Sequence, residues 1–240
     1  MSGSNPGELT PPSSTLTYQL IRWLLVWPIF RLLLRGRTEG VANVPALGGL
    51  VVVANHGSYL DPPLISCAVS RPVAYMAKEE LFRVPFLSTI IRLCGAYPVV
   101  RGASDRQALR TACLRLEEGW ATGVFLDGTR QADGRVTHPQ PGAALMAART
   151  GSPLLPVAII NSHRALGPGG SPPRLVPVHV RIGSPIPPPA SKQRADLDAV
   201  TAAAQAQINK MLDEGLIRRP LFAAAKPPAR IAPTSSDLDR

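Results

Sequence analysis

The sequence predicts an α/β fold: a mostly parallel sheet flanked by helices, with an N-terminal amphipathic helical pair ahead of it. Two observations predict the sheet. Short apolar runs rich in Val, Leu and Ile recur from residue 50 onward, and segments of helical periodicity separate most of them. Strands alternating with helices build parallel sheets covered on both faces, and doubly covered strands read as unbroken apolar runs. A third observation sets the helical pair apart. The segment over residues 16–37 is hydrophobic but interrupted by arginine.

That segment reads "LTYQLIRWLLVWPIFRLLLRGR". Arg22 and Arg31 leave a longest charge-free run of eight residues, 23–30, whereas a membrane-spanning helix needs about 20. Pro28 is expected to break or kink it. Each half makes sense alone. Gln19 and Arg22 share one face, as do Arg31 and Arg35. The other faces carry Leu20, Trp23, Leu24 and Trp27, then Ile29, Leu32 and Leu33. Tryptophan at the apolar edge with arginine on the polar side suits the plane of a bilayer surface. The competing reading is an amphipathic pair packed on the protein's own core.

Strands are expected at 50–54 ("LVVVA"), 73–77 ("VAYMA"), 97–100 ("YPVV"), 123–127 ("GVFLD"), 154–160 ("LLPVAII") and 175–182 ("LVPVHVRI"). A helix over 62–70 opens with a proline in its first turn. Ser104 caps the next, which runs to about Glu118 with Leu109, Ala112, Cys113 and Leu116 on one stripe. A third, over 141–150, ends at Gly151. The last opens at Ser191 and is stopped by Gly215. The expected organisation is a disordered N-terminus over 1–14, the amphipathic membrane-surface helices over 15–37, one α/β domain over 38–219 and a disordered tail over 220–240, both ends being rich in small residues and proline. The start lacks a basic region followed by a cleavage pattern, so no signal peptide is expected.

Composition narrows the partners. The chain of 240 residues carries 26 Lys and Arg against 16 Asp and Glu, a formal charge of +10. Such a charge suits anionic partners: nucleic acid, an anionic membrane surface or phosphorylated substrates. Aromatic residues are only 5% of the chain, with no aromatic-basic alternation for base stacking, so nucleic acid is not expected. Cys67, Cys94 and Cys113 are odd in number and lie in apolar surroundings, which reads as buried thiols in a reducing compartment. The histidines at 56, 138, 163 and 179 form no ligand spacing with one another or with cysteine, so no metal is expected.

In open parallel sheets, ligands bind beyond the carboxyl ends of the strands. His56 sits just past the first strand, Arg101 just past "YPVV", and Asp127, Gly128, Thr129 and Arg130 follow "GVFL". If those strands are parallel neighbours, a base, carboxylates and two guanidinium groups converge at one edge. Imidazole is the usual general base near neutral pH, and a carboxylate on its other nitrogen fixes the tautomer. Asp61 is within reach of that task, and before Pro62 it is equally a good helix N-cap. Ser58 lacks the Gly-x-Ser-x-Gly setting of a strand-to-helix nucleophile.

At this point the motifs carry a resemblance. "NHGSYLDP" resembles the Asn-His-x-x-x-x-Asp signature (the HX4D motif) of the glycerolipid acyltransferases, and the chain resembles the 1-acylglycerol-3-phosphate acyltransferases in particular. "MAKEELFRVPFLSTIIRLCGAYPVVRG" is similar to the family's second block, "GVFLDGTRQADG" to its third, usually Phe-Pro-Glu-Gly-Thr-Arg, and "LLPVAI" to its fourth. The resemblance implies acyl transfer from an acyl carrier protein or coenzyme A thioester to the free hydroxyl of a lysophospholipid acceptor, giving phosphatidic acid for phospholipid biosynthesis, with no cofactor beyond the thioester co-substrate. His56 is then the base and Asp61 its partner. Arg101 and Arg130 bind the acceptor phosphate, with Lys78 a third cation. Gly128 and Thr129 offer backbone N–H groups to phosphate or oxyanion. Leu126-Asp127 stands where the family has Pro-Glu, which draws the carboxylate back by about 1.5 Å and bears on acceptor identity. The resemblance also implies interfacial membrane association at the cytoplasmic face of a bacterial or plastid-type membrane. Transfer to another lysolipid or aminolipid hydroxyl, and a catalytically silent lipid-binding relative, are the alternatives.

Overall fold

The structure is a computed structural model that describes residues 20, 22–78, 82–83, 88, 96–99, 105–167 and 172–217. Its centre is a seven-stranded sheet. In chain order the strands are β1 (Arg37–Glu39), β2 (Leu50–Ala54), β3 (Val73–Lys78), β4 (Ala96–Val99), β5 (Ala121–Phe125), β6 (Leu154–Ile160) and β7 (His179–Ile182). In space they run β1-β7-β6-β2-β5-β3-β4. Every pairing is parallel except β6 with β7, so β6, β2, β5, β3 and β4 point one way while β7 and β1 point the other. The predicted mostly parallel α/β sheet is present, with β2 at its middle.

β2 shows why that reading works. All five of its residues are buried. Leu50, Val52 and Ala54 face one core cluster, and Val51 and Val53 face the other. The first cluster is closed by helix α1 (Asp61–Ala68), which contributes Leu64 and Ile65. The second is closed by α2 (Asp105–Glu117), α3 (Gly142–Thr150) and α5 (Arg194–Ile217), which contribute Ala112, Met146 and Ile208 among others. A short α4 (Ser162–Ala165) follows β6 directly. With helices on both faces, no position of β2 is free to be polar.

Several boundaries differ from expectation. β5 starts two residues earlier than predicted and ends at Phe125, which leaves Leu126 and Asp127 to the turn that follows. β7 covers only the second half of the predicted strand, because Pro177 cannot donate to a ladder. α1 begins at Asp61. Gly215 does not stop the last helix, which continues to Ile217. A side chain at Gly215 would meet Ile160 Cδ1 at 2.3 Å, so glycine here lets α5 lie close against β6. Ser104, Arg101, Cys94 and both terminal segments, 1–14 and 220–240, lie outside the described residues.

The N-terminal segment departs furthest. Pro28 does not break it. Two wide helical turns, Arg22–Val26 and Ile29–Leu33, join through Trp27 and Pro28, and Pro28 itself is helical at φ −60° and ψ −43°. These turns close with five-residue bonds such as Leu34 N–H to Ile29 O at 3.0 Å. The segment is also joined to the domain. Phe30 and Leu34 are buried in the first core cluster, and Leu34 O accepts Val178 N–H at 3.0 Å. β1, which the sequence reading did not foresee, follows at once and pairs with β7. The apolar side chains assigned to the outer face do stand outside: Leu24 is 74% and Leu32 73% exposed, with Trp23 and Leu33 half exposed beside them. The segment thus carries two apolar faces, a narrow one in the core and a broad one in solvent. Among the described residues no helix is long and apolar enough to cross a membrane.

Candidate active site

Parallel pairing brings the carboxyl ends of β6, β2, β5 and β3 to one edge of the sheet. The residue after β2 is Asn55, whose buried side chain is fully engaged. Its Nδ2 donates to Gly134 O at 2.7 Å and to Ile159 O at 2.9 Å, and its Oδ1 accepts Ile159 N–H at 2.8 Å. The amide extends the β2–β6 pairing past the end of the strand and grips the loop after β5. His56 emerges from this fixed point.

The imidazole of His56 lies flat on Phe125, the last residue of β5, with ring centroids 3.8 Å apart and planes 13° from parallel. Register explains the meeting, because Phe125 pairs with Ala54, two residues before His56. His56 Nδ1 is 2.8 Å from Asp61 Oδ2. A carboxylate accepts there, so Nδ1 carries the proton and Nε2 presents a lone pair. The same Oδ2 accepts the N–H groups of Gly57 and Ser58, each at 2.8 Å. Asp61 therefore does not cap α1 forward. From the first turn of the helix it reaches back, and one oxygen serves both the ring and the turn that carries it. Asp61 is wholly buried while the His56 side chain keeps 17% of its surface exposed. Among the described residues Asp61 Oδ1 is buried without a hydrogen-bond partner. A buried carboxylate is tolerated when it is hydrogen-bonded to donors and sits at a helix N-terminus.

Ser58 is excluded as a nucleophile. It is buried, its hydroxyl donates to Leu166 O at 2.7 Å, and it accepts Leu60 N–H at 3.1 Å.

The turn after β5 holds the third block of the sequence. Asp127 is buried, and its carboxylate accepts Thr137 N–H on both oxygens at 3.2 Å and His138 N–H at 2.8 Å. The structure thus gives Asp127 the work of closing the loop 127–138. Gly128, at φ +66°, supplies the left-handed corner, and its N–H donates to Phe125 O rather than standing free. Thr129 Oγ1 accepts Gln131 Nε2 at 3.4 Å. Gln131 N–H donates to His56 O at 2.7 Å, and the Arg130 guanidinium lies over the Tyr59 ring, 3.7 Å from its centroid. Among the described residues Arg130 has no ion pair.

His56, Asp61 and the turn 127–130 are therefore brought together. Lys78 ends β3 at the same edge, and its side chain, like Arg101, lies outside the described residues. Tyr59, Phe125 and Gln131 carry no signal of their own in the sequence, while Asn55 enters it only as the first residue of the Asn-His-x-x-x-x-Asp signature. What the Asn55 amide does depends on the β2–β6 register, and what Phe125 does depends on the β2–β5 register. Among the described residues no cluster of three His, Cys, Asp or Glu side chains is arranged to hold a metal ion.

The chain is similar to a set of known proteins. The model of the family described as Acyltransferase matches residues 35–160. The 1-acyl-sn-glycerol-3-phosphate acyltransferase of Borreliella burgdorferi is 28% identical over 131 residues, covering 52% of this chain and 50% of that protein. The enzyme of the same name from Bacillus subtilis is 29% identical over 117 residues, 48% of this chain and 58% of the relative. The chain spans about half the length of the curated relatives it matches. The crystal structure of the 1-acyl-sn-glycerophosphate (LPA) acyltransferase PlsC from Thermotoga maritima superposes with a TM-score of 0.69 at 27% identity, covering 84% of each chain.

Proposed function

Because the chain belongs to the acyltransferase family, we propose that it transfers a fatty acyl group from an acyl thioester to the free hydroxyl of 1-acylglycerol-3-phosphate, giving phosphatidic acid. The observation that carries this reading is the His56 Nδ1 to Asp61 Oδ2 contact at the carboxyl edge of the central strand, which leaves Nε2 open. Nε2 takes the proton of the acceptor hydroxyl. The oxygen attacks the thioester carbonyl, the C–S bond breaks, and the leaving thiolate receives the proton from the imidazolium. Asp61 stabilises that imidazolium and holds the ring, and Phe125 prevents it from turning. No covalent acyl-enzyme is required, in keeping with the engaged hydroxyl of Ser58.

The acceptor phosphate calls for guanidinium. Arg130, at the same edge as His56, is the first choice, with Arg101 and Lys78 completing the set. With Gly128 N–H taken up by Phe125 O, Thr129 N–H is the backbone donor of the Gly128–Thr129 pair that this reading assigns to phosphate or oxyanion. Asp127 contributes by holding the loop that carries Arg130. The donor is a thioester of acyl carrier protein or coenzyme A.

Membrane association belongs to the same reading. Trp23, Leu24, Leu32 and Leu33 expose an apolar surface that arginines accompany. β1 enters the sheet at Arg37, level with His179 and Ile160, so this segment adjoins the edge that carries His56. An enzyme lying in the interface of an anionic bilayer, at the cytoplasmic face of a bacterial or plastid-type membrane, takes its lysolipid without drawing the chain into water.

The decisive experiment incubates purified protein with acyl-carrier-protein and coenzyme A thioesters against a panel of lysolipids and follows products by mass spectrometry. Phosphatidic acid from 1-acylglycerol-3-phosphate supports the reading. Acylation of a different lysolipid or aminolipid alone moves the activity to that acceptor, and no product with any acceptor leaves a silent lipid-binding protein.

A further inference from the structure

We propose that Tyr59 sets acceptor specificity, acting as a pedestal that fixes the Arg130 guanidinium at a set distance from His56; this rests on the acyl-transfer reading above. Tyr59 is the one large exposed side chain inside an otherwise buried turn. Ser58 and Asp61 on either side of it are buried, while the tyrosine is 59% exposed. What covers its ring is Arg130, 3.7 Å from the centroid, nearer than Arg31 lies to Trp27 at 5.9 Å or Arg115 to Trp120 at 5.0 Å.

The pedestal is rigid because the turn is. Asp61 Oδ2 holds the N–H groups of Gly57 and Ser58, and the Ser58 hydroxyl bridges Leu60 N–H to Leu166 O. Arg130 is also tied through its backbone, since the next residue, Gln131, bonds to His56 O. Base and guanidinium are thus mounted on the same six residues. Other arginines of the fold, such as Arg115, Arg181 and Arg194, meet carboxylates. Arg130 meets an aromatic face instead. Stacking occupies the face of the guanidinium and leaves its in-plane N–H groups for a forked oxygen acceptor, which a carboxylate partner would have consumed. In a lysolipid whose phosphate and free hydroxyl stand on neighbouring carbons, a phosphate fixed at Arg130 fixes where the hydroxyl meets Nε2. An acceptor without phosphate gains nothing from this arrangement.

The test compares Tyr59→Leu and Tyr59→Phe with the wild type, using 1-acylglycerol-3-phosphate and the neutral 1-acylglycerol as acceptors. Tyr59→Leu is expected to lower the preference for the phosphorylated acceptor about three- to tenfold, through its KM, with the thioester KM unchanged and Tyr59→Phe retaining the preference. The Arg130 side-chain N–H resonance, identified by its loss in Arg130→Lys, is expected upfield in the wild type and Tyr59→Phe and unshifted in Tyr59→Leu. An unchanged preference in Tyr59→Leu overturns the proposal. So does an equal loss on both acceptors, which marks general damage to the His56 turn, or a wild-type resonance without a ring shift. A wild type with the shifted resonance but no transfer to lysophosphatidate defeats the functional reading itself, and the specificity role with it.

Discussion

The N–H of Gln131 donates to the carbonyl oxygen of His56 at 2.7 Å. This bond joins the turn after β2 to the turn after β5, so the first and third blocks of the sequence behave as one body. What is done to either should be felt in the other, and the effects of substitutions can be separated by which bond each one removes.

Replacing His56 with Ala removes the base, its cover on Phe125 and one of the three donors to Asp61 Oδ2, which keeps the N–H groups of Gly57 and Ser58. Acyl transfer should fall at least about a hundredfold with the fold intact. Asp61→Ala should cost activity and stability together. It strips the acceptor from Gly57 N–H and Ser58 N–H, and leaving a buried donor unsatisfied costs roughly 1–3 kcal/mol each. Steady-state rates and denaturant midpoints measured on both variants check the contrast: a His56→Ala protein with near-normal turnover removes that residue from the chemistry.

Arg130→Ala and Arg101→Ala should each weaken use of a phosphate-bearing acceptor about tenfold to a hundredfold, the worth of one charge-assisted contact of about 1.5–3 kcal/mol. The thioester specificity constant should hold. If the donor suffers instead, these cations serve the wrong substrate in the present reading.

The N-terminal segment requires a finer cut than its amphipathic sequence first invites. Deleting 1–37 removes Phe30 and Leu34 from the core and the first residue of β1, so that truncation should destabilise the domain. Changing Leu24, Leu32 and Leu33 to Ser spares those contacts. That variant should keep its melting temperature, lose sedimentation with anionic vesicles, and still act on detergent-dispersed lysolipid. Unaltered vesicle binding would show that the exposed apolar face is not what meets the membrane.

Acid should loosen the fold through two histidines that take no part in the proposed chemistry, His163 packed behind the His56 turn and His179 on β7. Burial, assisted by Arg164, holds the His163 imidazole below the ordinary histidine value, and burial beside Arg37 does the same for His179. In the unfolded chain both titrate near 6.5. The unfolded state therefore binds more protons in the window between the two values, and stability is full above about pH 6.5 and declines as pH falls through that window. Denaturant midpoints from pH 7.5 to 5.5 should show the decline, and a His163→Asn, His179→Asn variant should show a shallower one.

How much was legible follows from where each signal resides. The strand 50–54 announces itself locally as an unbroken apolar run that ends in polar groups, whereas His56 and Asp61 stand out through the resemblance of "NHGSYLDP" to a known signature. β1 has no such signal. Its three residues, Arg37–Glu39, are polar and become a strand only by lying beside β7. The role of Phe125 depends on its pairing with Ala54, and the Asp127 carboxylate turns inward because the loop it begins returns ten residues later at Thr137. Phe30 and Leu34 share a helical segment with exposed leucines, and composition could not divide that segment between core and surface. Gly215 resembled a stop until the approach of α5 to Ile160 gave it a packing reason.

The pairing of β1 with β7 also bears on the order in which the molecule comes into being. Arg37 and its partner His179 are 142 residues apart in the chain. Synthesis proceeds from the N-terminus, so the first of the described strands to emerge waits for the last of them before it has a partner. Contacts of such long range close late and slow the search for the native topology. Throughout that interval the Trp- and Leu-rich segment ahead of β1 has no completed sheet to rest Phe30 and Leu34 on. A nascent chain would therefore offer its whole apolar length to whatever surface is near the ribosome, and folding of the domain would later withdraw the inner face, leaving only the outer one engaged.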